Sequence, residues 1–178
     1  MRLYETQASN EFSSYVDWSI EVGKPEKGGT LHVIDDTEFS DLTDGKSRTF
    51  HNADLPFDLK LSDYSINAFA SPVRPVMPPS PRIIDGYFLD VMKPDLQAEA
   101  NLPGLYVEVI NKETQEVTEG ILWGMSMEPL TVIVNDEPWL VNLARKRWAL
   151  PFSIRLDEFI HEKHAGTDMA KSYESYVT

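Results

Sequence analysis

The sequence predicts a mostly β protein, an antiparallel β-sandwich or open barrel built from two related β-units with little helix. Three observations lead there. Short runs alternate apolar and polar residues with a period of two. Turn residues separate those runs at hairpin spacing. One ten-residue phrase occurs twice, at residues 55–64 and 150–159.

Taken in order, "GTLHVID" (29–35) alternates Leu31 and Val33 with His32 and Ile34. "DLTDGKSRTF" (41–50) carries Asp44-Gly45, a strong hairpin-turn pair. "LPFDLKLSDYSI" (55–66) sets Phe57, Leu59 and Leu61 against Asp58, Lys60 and Ser62, the pattern of a sheet with one buried and one wet face. Residues 71–81, "SPVRPVMPPSP", hold Pro72, Pro75, Pro78, Pro79 and Pro81. At that density only polyproline II survives, so this is a stiff surface connector. "DGYFLDVMKPDLQAEA" (85–100) is the best helix candidate, one or two turns long because Pro94 interrupts it. Five β-runs follow, at 105–111, 116–124, 130–135, 139–148 and 150–160, with the short polar turns "KETQ" and "NDEP" between them. The connector divides the chain into a first β-unit, residues 1–80, and a second, residues 81–178. The second is expected to be truncated, because residues 175–178 read as the start of a strand.

Charge narrows the partners. With 29 Asp and Glu against 16 Lys and Arg, the net charge is −13, which argues against nucleic acid and anionic membrane surfaces. The chain has no Cys, which removes disulfides, thiolate metal sites and CxxC redox chemistry. No run approaches the ~20 apolar residues of a membrane helix, and the start lacks a signal-peptide pattern.

No catalytic constellation stands out. "HEKH" places His161 and His164 three apart, which on a strand point to opposite faces, and the pattern is not HExxH. Both read as structural or surface histidines, with no metal. "DDTEFSD" (35–41) with Asp44 lacks the spacing of a calcium loop and reads as a solvated acidic loop. Met125 and Met127 read as pliable core filler, and the four tryptophans as sheet-packing residues. "ARKRW" (144–148) is the densest basic cluster. It protects a sheet edge by charge, or offers Arg145, Arg147 and Trp148, with His164 further on, as partner contacts.

The repeated phrase aligns "LPFDLKLSDY" with "LPFSIRLDEF" at an offset of 150 − 55 = 95 residues. Leu, Pro, Phe and the later Leu are identical, and four further positions are conservative. Each copy reads as a proline-initiated strand with Phe, an aliphatic residue and Leu on the buried face, hence an internally duplicated β-module.

Residues 145–178, "RKRWALPFSIRLDEFIHEKHAGTDMAKSYESYVT", resemble the signature of the ResB-like family, membrane proteins of cytochrome c maturation in bacteria and plastids. The matching positions are Pro151, Phe152, Ile154, Leu156 and Phe159, then Glu162, His164, Gly166, Lys171, Tyr173 and Ser175. Tyr173 stands where the family more often has Phe. The resemblance implies a fragment of the large extracytoplasmic domain, on the periplasmic side of a bacterial inner membrane. It implies a cytochrome c synthesis partner and apocytochrome c as associates. Haem is implied for the intact membrane protein only, so no cofactor is expected in this chain. The expected role is non-enzymatic: scaffolding, or binding apocytochrome by strand addition to a sheet edge. The alternative is a secreted β-sandwich that binds carbohydrate or another ligand through its loops and tryptophans.

Overall fold

The computed structural model describes residues 4–26, 28–76, 81–164 and 166–178. Pro78 and Pro79 of the connector lie outside them. The chain is mostly β, as the alternation predicts, with eleven strands among the described residues and two 3-10 turns. The strands are β1 (Ala8–Gly23), β2 (His32–Asp35), β3 (Ser47–Phe50), β4 (Phe57–Ser65), β5 (Ala68–Pro72), β6 (Tyr87–Val91), β7 (Gly104–Asn111), β8 (Val117–Trp123), β9 (Leu130–Val134), β10 (Glu137–Lys163) and β11 (Ala170–Val177). One sheet has the order β11-β10-β1-β2, with β9 also on β10; a second runs β3-β4-β7-β8; β5 and β6 form a hairpin.

Contacts divide the chain into two compact units, Tyr15–Arg145 and Met1–Ser14 with Lys146–Thr178. This replaces the expected boundary at residue 80. β4, from the first half, is hydrogen-bonded along its length to β7, from the second, with Leu59 opposite Val109 and Leu61 opposite Val107. β4 and β7 therefore lie in the same unit.

In the unit Tyr15–Arg145 the core is a sandwich interior. Trp18, Ile20 and Val22 of β1 and Trp139, Val141 and Leu143 of β10 cluster with Phe57, Leu59 and Leu61 of β4 and Leu105, Val107 and Val109 of β7. Period-two alternation delivers every one of these to the inner face. Phe57 meets Trp139 edge-on, with centroids 5.4 Å apart. β7 is covered on its other face too: Tyr106 packs with Ala68, Ile84 and Leu89 under the β5–β6 hairpin. Hence β7 is buried almost throughout.

Turn chemistry follows the sequence. Asp44 and Gly45 both take positive φ (56° and 81°), as the Asp-Gly pair predicts. They lead from a 3-10 turn into β3, however, and do not join two strands. Asn135 and Asp136 (53° and 62°) make the tight β9–β10 turn.

Several expectations are corrected. The helix candidate is a strand over Tyr87–Val91, with only the 3-10 turn Ala98–Ala100 behind it. β-branched and aromatic residues before Pro94 favour extension. Met125 and Met127 fill no core; they sit exposed on the turn after β8. The runs 139–148 and 150–160 are one strand, so Pro151 lies inside β10 and does not start a strand. β11 pairs from Leu156 onward, so at Pro151 one flank of β10 has no partner strand among the described residues, the edge position a proline tolerates. Residues 175–177 end a strand that begins at Ala170.

Candidate functional site

The residues on which the expected resemblance rests lie in one hairpin of the unit Met1–Ser14 with Lys146–Thr178. β10 and β11 pair antiparallel, with His161 opposite Tyr173, Phe159 opposite Ser175 and Leu156 opposite Val177. The register slips between Leu156 and Glu158. A slip of one residue transfers the apolar face from even positions (Phe152, Ile154, Leu156) to odd ones (Phe159), so the stripe continues along one side. Tyr173 stacks on the His161 ring at 4.6 Å and on the Phe159 ring at 6.2 Å. On the opposite side, Lys171 pairs with Glu162 at 2.9 Å, and the Ser172 hydroxyl donates to the same carboxylate at 3.4 Å. Gly166 closes the turn at φ 77°, a conformation that only glycine adopts without cost.

Leu156 anchors this hairpin. Its N–H donates to the Gln7 carbonyl and its carbonyl accepts from Thr6 N–H. The flanking ion pair of Arg155 with Asp157, at 2.7 Å, holds the Asp157 carboxyl below its usual range. The rest of the stripe is open: Phe152 is 58% exposed and Phe159 46%. β11 is the edge strand of its sheet.

The four expected partner contacts fare differently. Arg145 is committed internally. Its guanidinium stacks over Trp18 at 4.0 Å and donates to the carbonyls of Tyr15 and Glu99, and burial lowers its pKa. Arg147 is exposed and lies 3.9 Å from Glu11. Trp148 is exposed, with the Lys146 ammonium over its ring at 4.4 Å. His164 stands at the hairpin turn, where its carbonyl accepts from Thr167. Arg147, Trp148 and His164 therefore belong to the hairpin unit, and Arg145 to the other.

Two clefts of the unit Tyr15–Arg145 bring together residues that the sequence did not mark. One, of about 600 Å³, is lined by Lys24, His32, Glu137 and Trp139, with Lys24 paired to Glu137 at 2.8 Å. The other, of about 850 Å³, lies past the end of β4. Tyr64 lines it, its phenol pushed up to about 12 by burial and by the negative charge of Asp36. It stays a neutral hydrogen-bond donor at any ordinary pH. The acidic loop is therefore only partly a solvated run: Asp36 and Asp44 face this cleft, together with Asp63, while Asp41 is held by Arg48 at 2.8 Å. Positive φ at Asp44 and Asp63 was the one local signal available, and only Asp44-Gly45 announces it in sequence.

Among the described residues no group of three His, Asp or Glu converges as a metal site, and no helix is long and apolar enough to cross a membrane. Compared with known families and with curated proteins, the chain matches no family model and no curated protein.

Proposed function

We propose that this chain is extracytoplasmic domain from a ResB-like protein of cytochrome c maturation, a non-enzymatic module that holds apocytochrome. Haem handling belongs to the intact membrane protein. One observation carries this reading: the signature residues of 151–175 converge on a single hairpin whose outer strand, β11, is a sheet edge. An extended polypeptide adds to such an edge through its backbone, and alternate side chains then meet the exposed aromatic stripe of Phe152, Phe159 and Tyr173. Main-chain pairing tolerates many sequences, which suits a client that is unfolded when it is handled.

The test uses the full chain and an unfolded apocytochrome segment bearing CxxCH, with amide hydrogen exchange as readout. The expected result is slowed exchange along residues 170–177, with the β3 edge of the other sheet unchanged. Binding that leaves residues 170–177 exchanging as before, or no binding at millimolar peptide, overturns the proposal. For the carbohydrate alternative the smaller cleft offers Trp139. With 7% of its surface exposed, that indole offers little face to a sugar ring.

A further inference from the structure

The larger cleft of the unit Tyr15–Arg145 combines an apolar wall with a rim of carboxylates. One wall is apolar, built by Trp18 of β1, Ile66 after β4, and Val91 and Met92 at the end of β6. Ile66, Val91 and Met92 are half exposed or more. The rim carries Asp36, Asp44 and Asp63, none of which makes an ion pair among the described residues.

Several carboxylates elsewhere in this unit are paired locally. Asp41 is held by Arg48, Asp58 by Lys112 and His51, Asp90 by Arg74, Glu108 by Lys60 and Arg82, and Glu137 by Lys24. Three unneutralised carboxylates on one rim, in a chain of net charge −13, focus a negative potential on an apolar wall. The volume, about 850 Å³, is that of a ligand site and not of a protein–protein face. A single small amine would satisfy one carboxylate and leave two. Several cations spaced along a chain match all three.

We propose that this cleft binds a short extended basic peptide in which apolar side chains alternate with lysine or arginine. The apolar side chains rest on Ile66, Val91 and Met92, with the buried Trp18 behind them, and the cations pair with Asp36, Asp44 and Asp63. The inference goes beyond the cytochrome reading and does not depend on it, because the cleft uses residues 16–101 and the signature lies in 145–178.

Calorimetric titration of the full chain with the acetylated, amidated pentapeptide KLKFK tests it, with KGKGK and ELEFE as controls. The expected result is one peptide bound per chain, KGKGK weaker by about tenfold, and ELEFE not binding. Asp44→Asn combined with Asp63→Asn lowers the KLKFK affinity by about tenfold; asparagine tolerates the left-handed backbone at both sites, so the fold is kept. Met92→Gln, at an exposed position, lowers it independently. Glu113→Gln with Glu116→Gln removes two charges at the opposite end of β7 and leaves the affinity unchanged. Absence of KLKFK binding, equal binding of KGKGK, an equal loss in the remote variant, or full affinity in the cleft variants would each overturn the assignment.

Discussion

Leu55–Tyr64 and Leu150–Phe159 spell nearly the same strand, and the fold uses them in opposite ways. In the first copy Phe57, Leu59 and Leu61 are 0%, 2% and 0% exposed. In the second Phe152 is 58% exposed, and of the matching positions only Leu156 is buried. Both copies are β-strand, so local propensity is satisfied equally. The neighbours differ. β4 is an inner strand with β1 and β10 residues packed on its apolar face. The second copy carries its stripe where no second layer covers it among the described residues. Alternation specifies which residues share a face; it does not specify whether anything lies across from them.

The largest contrast is expected at matched aliphatic positions. Leu59→Ala empties a closed interior and should cost about 2–5 kcal/mol. Ile154→Ala, half-buried on the open stripe, should cost no more than about 1 kcal/mol. Urea unfolding of the two variants measures both, and equal losses would erase the distinction.

Glycines sharpen the same comparison at smaller scale. A Cβ at Gly124 would lie 2.5 Å from the Trp18 ring and 3.1 Å from Pro103, both in the packed unit. Gly124→Ala should therefore destabilise by about 1–3 kcal/mol through overpacking. At Gly166 nothing lies within 4 Å, so Gly166→Ala pays only for its positive φ, about 1 kcal/mol.

The smallest effect is electrostatic. Burial alone would raise the Glu108 pKa, but hydrogen bonds from Lys60 and Arg82 hold it below its ordinary value of 4.5. A depressed carboxyl adds stability above the unfolded pKa and loses it as pH falls through the folded one. Glu108→Gln should thus flatten the decline in urea midpoint below pH 4.5, by on the order of 1 kcal/mol. Glu162→Gln, which loses a half-exposed pairing with Lys171, should change stability at neutral pH by less than about 0.5 kcal/mol.

Much of the architecture is legible in the sequence. β4, β7, β8, β9 and the tight turn at Asn135-Asp136 follow from alternation and turn residues. The β6 segment reads as helical because Asp90, Lys93 and Pro94 break an apolar run of ambiguous period, and pairing with β5 makes it a strand. The continuous β10 was missed because Pro151 signals a strand start only where both flanks are paired. The hairpin signature was readable as a motif, but the stacking of His161 on Tyr173 depends on a cross-strand register that no local pattern encodes. The acidic cleft joins Asp36 of a 3-10 turn, Asp44 of the next turn and Asp63 of the irregular end of β4, a convergence visible only in the fold.

The most direct test of this account is the matched pair Phe57→Ala and Phe152→Ala, compared by urea unfolding followed through tryptophan fluorescence. The account predicts a loss of about 3–5 kcal/mol for Phe57→Ala, whose ring packs on Trp139, and a change within about 0.5 kcal/mol for Phe152→Ala. A loss at Phe152 as large as that at Phe57 would mean the hairpin stripe is a covered core, and would contradict its assignment as a recognition surface.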